Sequence, residues 1–251
     1  MESEKGMKDM KKRSFKAVLL LFVLTTLTIA LGGCSGDKKG DISSRITIGI
    51  PQDLEDSLDP HKMVTAGTRE VLFNIFEGLV KVTSDGDFVP AVASSYEETE
   101  GGKVYTFTLR DNVKFHDGST VTAEDVKFSL DKCADTSAGE PLVAAFSNID
   151  SVNILDDKTV QVVLKEADTE FLAYMTTAII PASNADPDTN PIGTGPYKFV
   201  SRSPQENFVM ERFDDYWGEP AHIKDVTLKI CANADTIVMD LEGGSIDMFA
   251  R

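Results

Sequence analysis

Three kinds of side chain in this sequence are candidates for chemistry: serine–lysine pairs, histidines and cysteines. Ser35-Gly-Asp-Lys38 and Ser129-Leu-Asp-Lys132 both have the S-x-x-K spacing that acylating serine enzymes use to activate a hydroxyl. Neither is accompanied by S-D-N or K-T-G, and there is no G-x-S-x-G elbow, Walker loop or G-x-G-x-x-G turn. His61 follows a proline, His116 sits in a turn and His222 lies near a strand start. None has the H-x-x-H or H-E-x-x-H spacing that brings two imidazoles to one metal. The acidic pair Asp156-Asp157 falls at a turn, where solvation accounts for it. No catalytic residue, metal site or cofactor is assigned, and an enzyme is not expected. Nickel binding stays open as an alternative.

The cysteines say more. Lys11, Lys12, Arg13 and Lys16 precede an apolar run from Ala17 to Leu31, the charge order of a secretory signal segment. The run falls short of the roughly 20 apolar residues a spanning helix needs. Small residues then lead into a cysteine, Leu31-Gly32-Gly33-Cys34, which resembles a lipoprotein cleavage box. Cleavage would leave Cys34 as a lipid-modified N-terminus facing the outside of a cell membrane, in a periplasm or cell-wall space. An uncleaved anchor with an incidental cysteine is the alternative. Met7 and Met10 are alternative starts. Ser35 to Ser44, rich in Gly, Ser, Asp and Lys, reads as a tether. Cys133 and Cys231 have no C-x-x-C spacing, and we expect buried or unpaired thiols rather than a disulfide.

Composition bounds the partners. The 251 residues carry a net charge of −16. Six of the 25 basic and three of the 41 acidic residues lie in positions 1–33, leaving 19 against 38, a net of −19. Clustered Lys and Arg are what phosphate backbones bind, so nucleic acid is not an expected partner.

Strands and helices must alternate to position anything here. Ile46, Ile48 and Ile50 alternate as a strand, and Gly67 to Leu79 has the apolar spacing of a helix, followed by a turn at Ser84–Asp87. Tyr105, Phe107 and Leu109 share one strand face. Thr122 and Asp125 form a capping box for a helix to about Ala134. Val160, Val162 and Leu164 alternate again, and Phe171 to Ile180 reads as an apolar helix stopped by Pro181. Strands are expected at 197–200, 208–213 and 226–230, with a short helix over 234–241. The class is α/β or mixed α+β.

Tyr105-Thr-Phe-Thr-Leu-Arg110, Val113-Lys-Phe-His-Asp-Gly118 and Thr122-Ala-Glu-Asp-Val-Lys-Phe-Ser129 together resemble the signature of the family 5 extracellular solute-binding proteins. Further landmarks follow in order: Ser57-Leu-Asp-Pro-His61, Phe76-Glu-Gly-Leu79, Pro90-Ala-Val-Ala93, Gly193-Thr-Gly-Pro-Tyr197, Asp215-Tyr-Trp-Gly218 and Gly244-Ser-Ile-Asp247. The resemblance covers residues 45 to 251. It implies a type II periplasmic-binding-protein fold, a two-lobed clamp that captures dipeptides, oligopeptides, nickel or another small solute for an ABC permease. A lipid-tethered peptide sensor of the same fold is a further alternative. By analogy, residues 45–76 and 181–251 belong to the first lobe and 77–180 to an inserted domain. Members run to roughly twice this length, so the second lobe is expected to lie outside this sequence, and one wall alone to bind weakly.

The resemblance also implies that the segment after Asp59-Pro60-His61 lies along a peptide backbone like an added strand, with Thr65, Ala66, Gly67 and Thr68 as candidates. An ordinary loop into the next helix is the competing reading. Gly193, Thr194 and Gly195 either bring backbone close to the cleft or make a tight turn that frees Tyr197 to enter a strand. Trp217, the sole tryptophan, reads as packed at the end of a hairpin rather than as a ligand platform.

Overall fold

A computed structural model describes residues 44–54, 57–184 and 186–250; the signal segment, Cys34 and tether residues 35–43 lie outside the described residues. The Ile46/Ile48/Ile50 alternation forms β1 (Arg45–Ile50), which runs parallel to a strand far along the chain. Ile46, Ile48 and Ile50 register with Val226, Leu228 and Ile230 of β10 (Asp225–Ile230), so one face of the pair is continuously apolar.

That pair is the centre of a five-stranded sheet ordered β11-β1-β10-β9-β8. Its other members are β8 (Tyr197–Ser203), β9 (Asn207–Arg212), β10 (Asp225–Ile230) and β11 (Met248–Phe249). The apolar face is covered by helix α1 (Ala66–Leu72), burying Leu54, Leu58, Leu72, Ile75, Phe208 and Met210 in one cluster.

The second sheet is antiparallel and four-stranded, ordered β4-β5-β7-β6: β4 (Ala93–Thr99), β5 (Val104–Leu109), β6 (Ile149–Asp156) and β7 (Thr159–Leu164). Tyr105, Phe107, Val160, Val162 and Leu164 face helix α2 (Ala123–Ala134) in a second cluster. The capping box is present as read: Thr122 Oγ1 accepts from Asp125 N at 3.2 Å and the Asp125 carboxylate accepts from Thr122 N at 3.0 Å, worth about 1 kcal/mol. A small hairpin, β2 (Val80–Val82) and β3 (Phe88–Pro90), turns at Gly86, whose φ of +89° suits glycine. Helix α3 (Ala234–Glu242) carries no buried residue. The apolar cores thus fall in two clusters, which adjoin near residues 76–80 and 178–180.

Two expected helices are shorter than the periodicity suggests. α1 ends at Leu72 instead of Leu79, because the carbonyls of Asn74 and Ile75 accept from Tyr197 N (3.1 Å) and Gly195 N (2.9 Å). Tertiary pairing takes the bonds a further helical turn would need. Phe171–Thr176 is a short 3-10 turn, and residues 177–180 are not helical. Ile179 N there donates to Glu77 O and Ile180 N to Ser129 Oγ, so burial satisfies the apolar run as well as a helix would. Among the described residues no helix is long and apolar enough to cross a membrane.

Candidate functional site

The approach to α1 is built on a buried carboxylate. Asp59, fully buried, accepts from Lys132 Nζ at 2.8 Å and from His61 N at 3.1 Å, tying the 57–62 turn to helix α2. Lys62 Nζ stands 3.6 Å from the same carboxylate, and Ser57 donates to Asp188. Burial alone would raise the Asp59 carboxyl; the Lys132 and His61 donors outweigh it and hold it below the usual carboxylate range. His61 donates from Nε2 to Ala178 O at 2.8 Å, and burial pushes its imidazole down, so the ring is neutral.

Thr65 then caps α1: it is extended (φ −78°, ψ 144°) and its hydroxyl accepts from Thr68 N. Ala66, Gly67 and Thr68 are the first helical turn and only Thr65 is extended, so the backbone along 65–68 does not have the strand conformation expected of it: helical φ/ψ turns successive amides away from a single edge.

A cavity of about 460 Å³ lies between this turn and the first sheet, lined by Thr65, Gly67, Thr68, Ile48, Ile50 and Tyr197 among others. A second, of about 600 Å³, is bounded by residues of the same segment, Met63, Arg69, Leu72 and Phe73, by Lys81 of β2 and by Val143, which packs against the other cluster. Helix α1 thus contributes walls to both. Arg69, Glu77 and Lys81 were not anticipated from sequence; an acid between Phe76 and Gly78 in an apolar run was the available signal, because a buried carboxylate requires donors.

Gly193, Thr194 and Gly195 line neither of these cavities. A Cβ on Gly193 would meet Ile75 O at 2.2 Å and one on Gly195 would meet Asn74 O at 2.5 Å, so the segment is pressed against the end of α1. His116 clamps its far side: Gly193 N donates to Nδ1 (3.2 Å) while Nε2–H donates to Gly195 O (3.0 Å), which fixes the neutral tautomer.

Burial is the main reason this imidazole is pushed down to about 4. The folded chain therefore holds the proton more weakly than the unfolded one, whose histidine titrates near 6.5. The clamp's contribution is complete above about pH 6.5 and is lost as pH falls toward 4. An NMR titration of the His116 ring is expected to give a midpoint well below 5.5; a midpoint at 6 or higher would contradict the clamp.

Glu77 fastens the same joint. Its carboxylate accepts from Tyr216 OH (2.7 Å), Trp217 Nε1 (2.6 Å) and Thr194 Oγ1 (3.2 Å). Burial pushes its carboxyl up, against the pull of those donors. Trp217 is packed rather than presented: Arg110 lies 4.4 Å and Lys81 5.1 Å from its ring centroid. The Ser129–Lys132 pair is divided, with Ser129 Oγ on backbone groups of Asp125 and Ile180 and Lys132 on Asp59. Cys133 and Cys231 are buried and free, and burial pushes the Cys133 thiol up to about 12. His222 is exposed.

Comparison with known proteins identifies this architecture. Residues 87–251 match the model of the bacterial extracellular solute-binding proteins, family 5 (middle). The oligopeptide-binding protein AppA of Bacillus subtilis is 29% identical over 95% of this chain and 48% of its own length. The nickel-binding periplasmic protein of Escherichia coli is 30% identical over 76% of this chain and 38% of its own. Among solved structures, the periplasmic binding protein DppA of Helicobacter pylori in complex with the peptide STSA superposes with a TM-score of 0.72 at 27% identity, covering 80% of this chain and 45% of that one. The chain spans about half the length of relatives such as AppA. Its fold is the mixed α/β architecture of type II periplasmic binding proteins, and the chain belongs to the family 5 bacterial extracellular solute-binding proteins.

Proposed function

We propose that this chain supplies the first wall of an extracytoplasmic receptor that captures a peptide-like solute and delivers it to an ABC permease, held at the membrane by lipid on Cys34. The observation that carries the reading is the cavity beneath Thr65, Gly67 and Thr68, whose walls are the apolar face of β1 and β10. The relatives' peptide-binding and nickel-binding names support solute capture. Peptide is favoured over nickel because His61 Nε2 and both ring nitrogens of His116 are committed to backbone groups.

The partition of the buried core supports dividing the chain into first-lobe segments 45–76 and 181–251 and an inserted domain, 77–180. Gly193, Thr194 and Gly195 act in this scheme by bracing the end of α1 rather than by touching solute.

Thermal unfolding of the chain from residue 35 onward, with and without a mixed di- to pentapeptide pool, tests the reading. A ligand that binds only the folded state raises the transition by mass action, so the midpoint should rise with peptide and stay unmoved by nickel–histidine. Gly67→Leu should abolish the rise without unfolding the protein, because a Cβ there meets nothing within 4 Å. A midpoint that no peptide moves would overturn the proposal.

A further inference from the structure

His116 lies between β5 and α2, yet both nitrogens of its ring bond to residues 193 and 195. Gly193 N donates to Nδ1 (3.2 Å), Nε2–H donates to Gly195 O (3.0 Å), and the main-chain N of His116 donates to Gly193 O (3.0 Å). Phe213 meets the ring edge to face, with centroids 5.0 Å apart, and its own N–H donates to Pro196 O (2.9 Å). The segment is thus held from two sides.

What it holds in turn is the wall of the first cavity. Gly195 N donates to Ile75 O (2.9 Å) and Tyr197 N to Asn74 O (3.1 Å), the bonds that stop α1. Asn74 and Tyr197 both line the cavity of about 460 Å³. Close-packed interiors transmit displacement, so a shift of 193–195 moves two lining residues at once.

A proton on the ring bears directly on this brace. Nδ1 accepts from Gly193 N only while it carries no proton; protonated, it sets two donors against each other at 3.2 Å and leaves the Gly193 N–H without an acceptor. Burial is the largest influence on the ring and disfavours the proton, the Gly195 carbonyl favours it, Lys198 of β8 opposes it and Asp117 of the same turn favours it. The other ionisable groups of the packed segments are engaged: Lys198 itself with Glu211 (2.8 Å), Asp215 with Lys114 (2.7 Å), Asp214 with Arg212 (2.8 Å), and Glu77 with Thr194, Tyr216 and Trp217.

We propose that His116 is a positioning residue for solute capture, acting through residues 193–197 on Asn74 and Tyr197, and that a proton taken from solvent onto Nδ1 opens the brace and weakens capture in acid. This role rests on the solute-capture reading above and adds control by pH to it. An opened ring titrates near 6.5 and the closed one at about 4, so at about pH 5 opening gains up to roughly thirtyfold over neutral pH. Glu77 works in the opposite sense: burial holds its carboxyl up, so the closed joint keeps its proton better than an opened one and acid favours closure. A variant that keeps Glu77 and lacks the imidazole separates the two.

The test is native-state hydrogen exchange of the chain from residue 35 onward at about pH 7.5 and about pH 5, corrected for the intrinsic pH dependence of exchange. The amides of Gly195 and Tyr197, bonded to the end of α1, report opening of the brace. Their protection in the unaltered chain, relative to that in His116→Asn, should fall by roughly tenfold or more between the two pH values, because the carboxamide oxygen of Asn can accept from Gly193 N at either pH. His116→Gln, which cannot take a proton either, is the second variant and should behave as His116→Asn does. In the unaltered chain the rise in unfolding midpoint given by the mixed peptide pool should also be smaller at about pH 5. Equal pH dependence of protection in the unaltered chain and the variants overturns the role of His116. A peptide pool that stabilises the unaltered chain equally at both pH values overturns the control by pH and leaves solute capture standing. A pool that moves the midpoint at neither pH overturns the solute-capture reading and this role with it.

Discussion

Gly193→Ala should be among the most damaging single substitutions in the chain, with an expected loss on the order of 4 kcal/mol of unfolding free energy. The new methyl would stand 2.2 Å from Ile75 O and 2.7 Å from Phe76 Cδ1, and the nearest obstacle is a backbone oxygen that cannot rotate away. That oxygen already accepts Gly195 N at 2.9 Å, so relief by moving the backbone would break the bond that ends α1. Urea unfolding should show a lowered midpoint at unchanged m-value. Gly67→Ala, at a position where the added methyl meets nothing, is the control and should move stability by less than about 1 kcal/mol. Similar losses in the two variants would mean that the 193–195 segment does not brace α1.

Asp59→Ala should cost about 3 kcal/mol. Removing one partner of a buried ion pair leaves the other with its desolvation penalty uncompensated. Lys132 loses its 2.8 Å partner and the His61 N–H loses its acceptor. The Lys132 side chain is 24% exposed, which places the loss at the lower end of the range measured for such pairs. Asp59→Asn/Lys132→Met, which removes both charges and keeps an acceptor for His61 N, should recover at least half of the loss. A double variant no more stable than Asp59→Ala would show that the charge pair is not what joins the 57–62 turn to α2.

The legible parts of this fold are those whose cause is local. Alternation at Ile46/Ile48/Ile50 and at Val160/Val162/Leu164 gives strands because burial on one face requires a period of two. Thr122 and Asp125 satisfy each other's backbone donors within four residues, so the start of α2 can be read directly. What was not legible depends on partners distant in sequence. α1 stops at Leu72 because residues 195 and 197 claim the next carbonyls, and nothing in 66–79 records that competition. The run 171–180 is as apolar as a buried helix, yet Glu77 O and Ser129 Oγ take up its amides.

The site divides in the same way. Thr65 caps α1 through a local bond to Thr68 N, a role absent from the expectation that it contacts solute or lies in a loop. Glu77 has its donors at 194, 216 and 217, so its role emerges only when the loops come together. Gly193 and Gly195 lie pressed against Ile75 and Asn74, a close approach between segments far apart in sequence that the residue types alone do not record.

Amide hydrogen exchange of the chain from residue 35 onward, with and without a saturating peptide pool, tests solute capture at α1 most directly. The first amides of a helix have no intrahelical acceptor and exchange readily unless something covers them. The account predicts that peptide slows exchange across Met63–Thr68 while leaving the outer strand β6 (Ile149–Asp156) unchanged. Unchanged exchange over residues 63–68, or protection confined to β6, would contradict it.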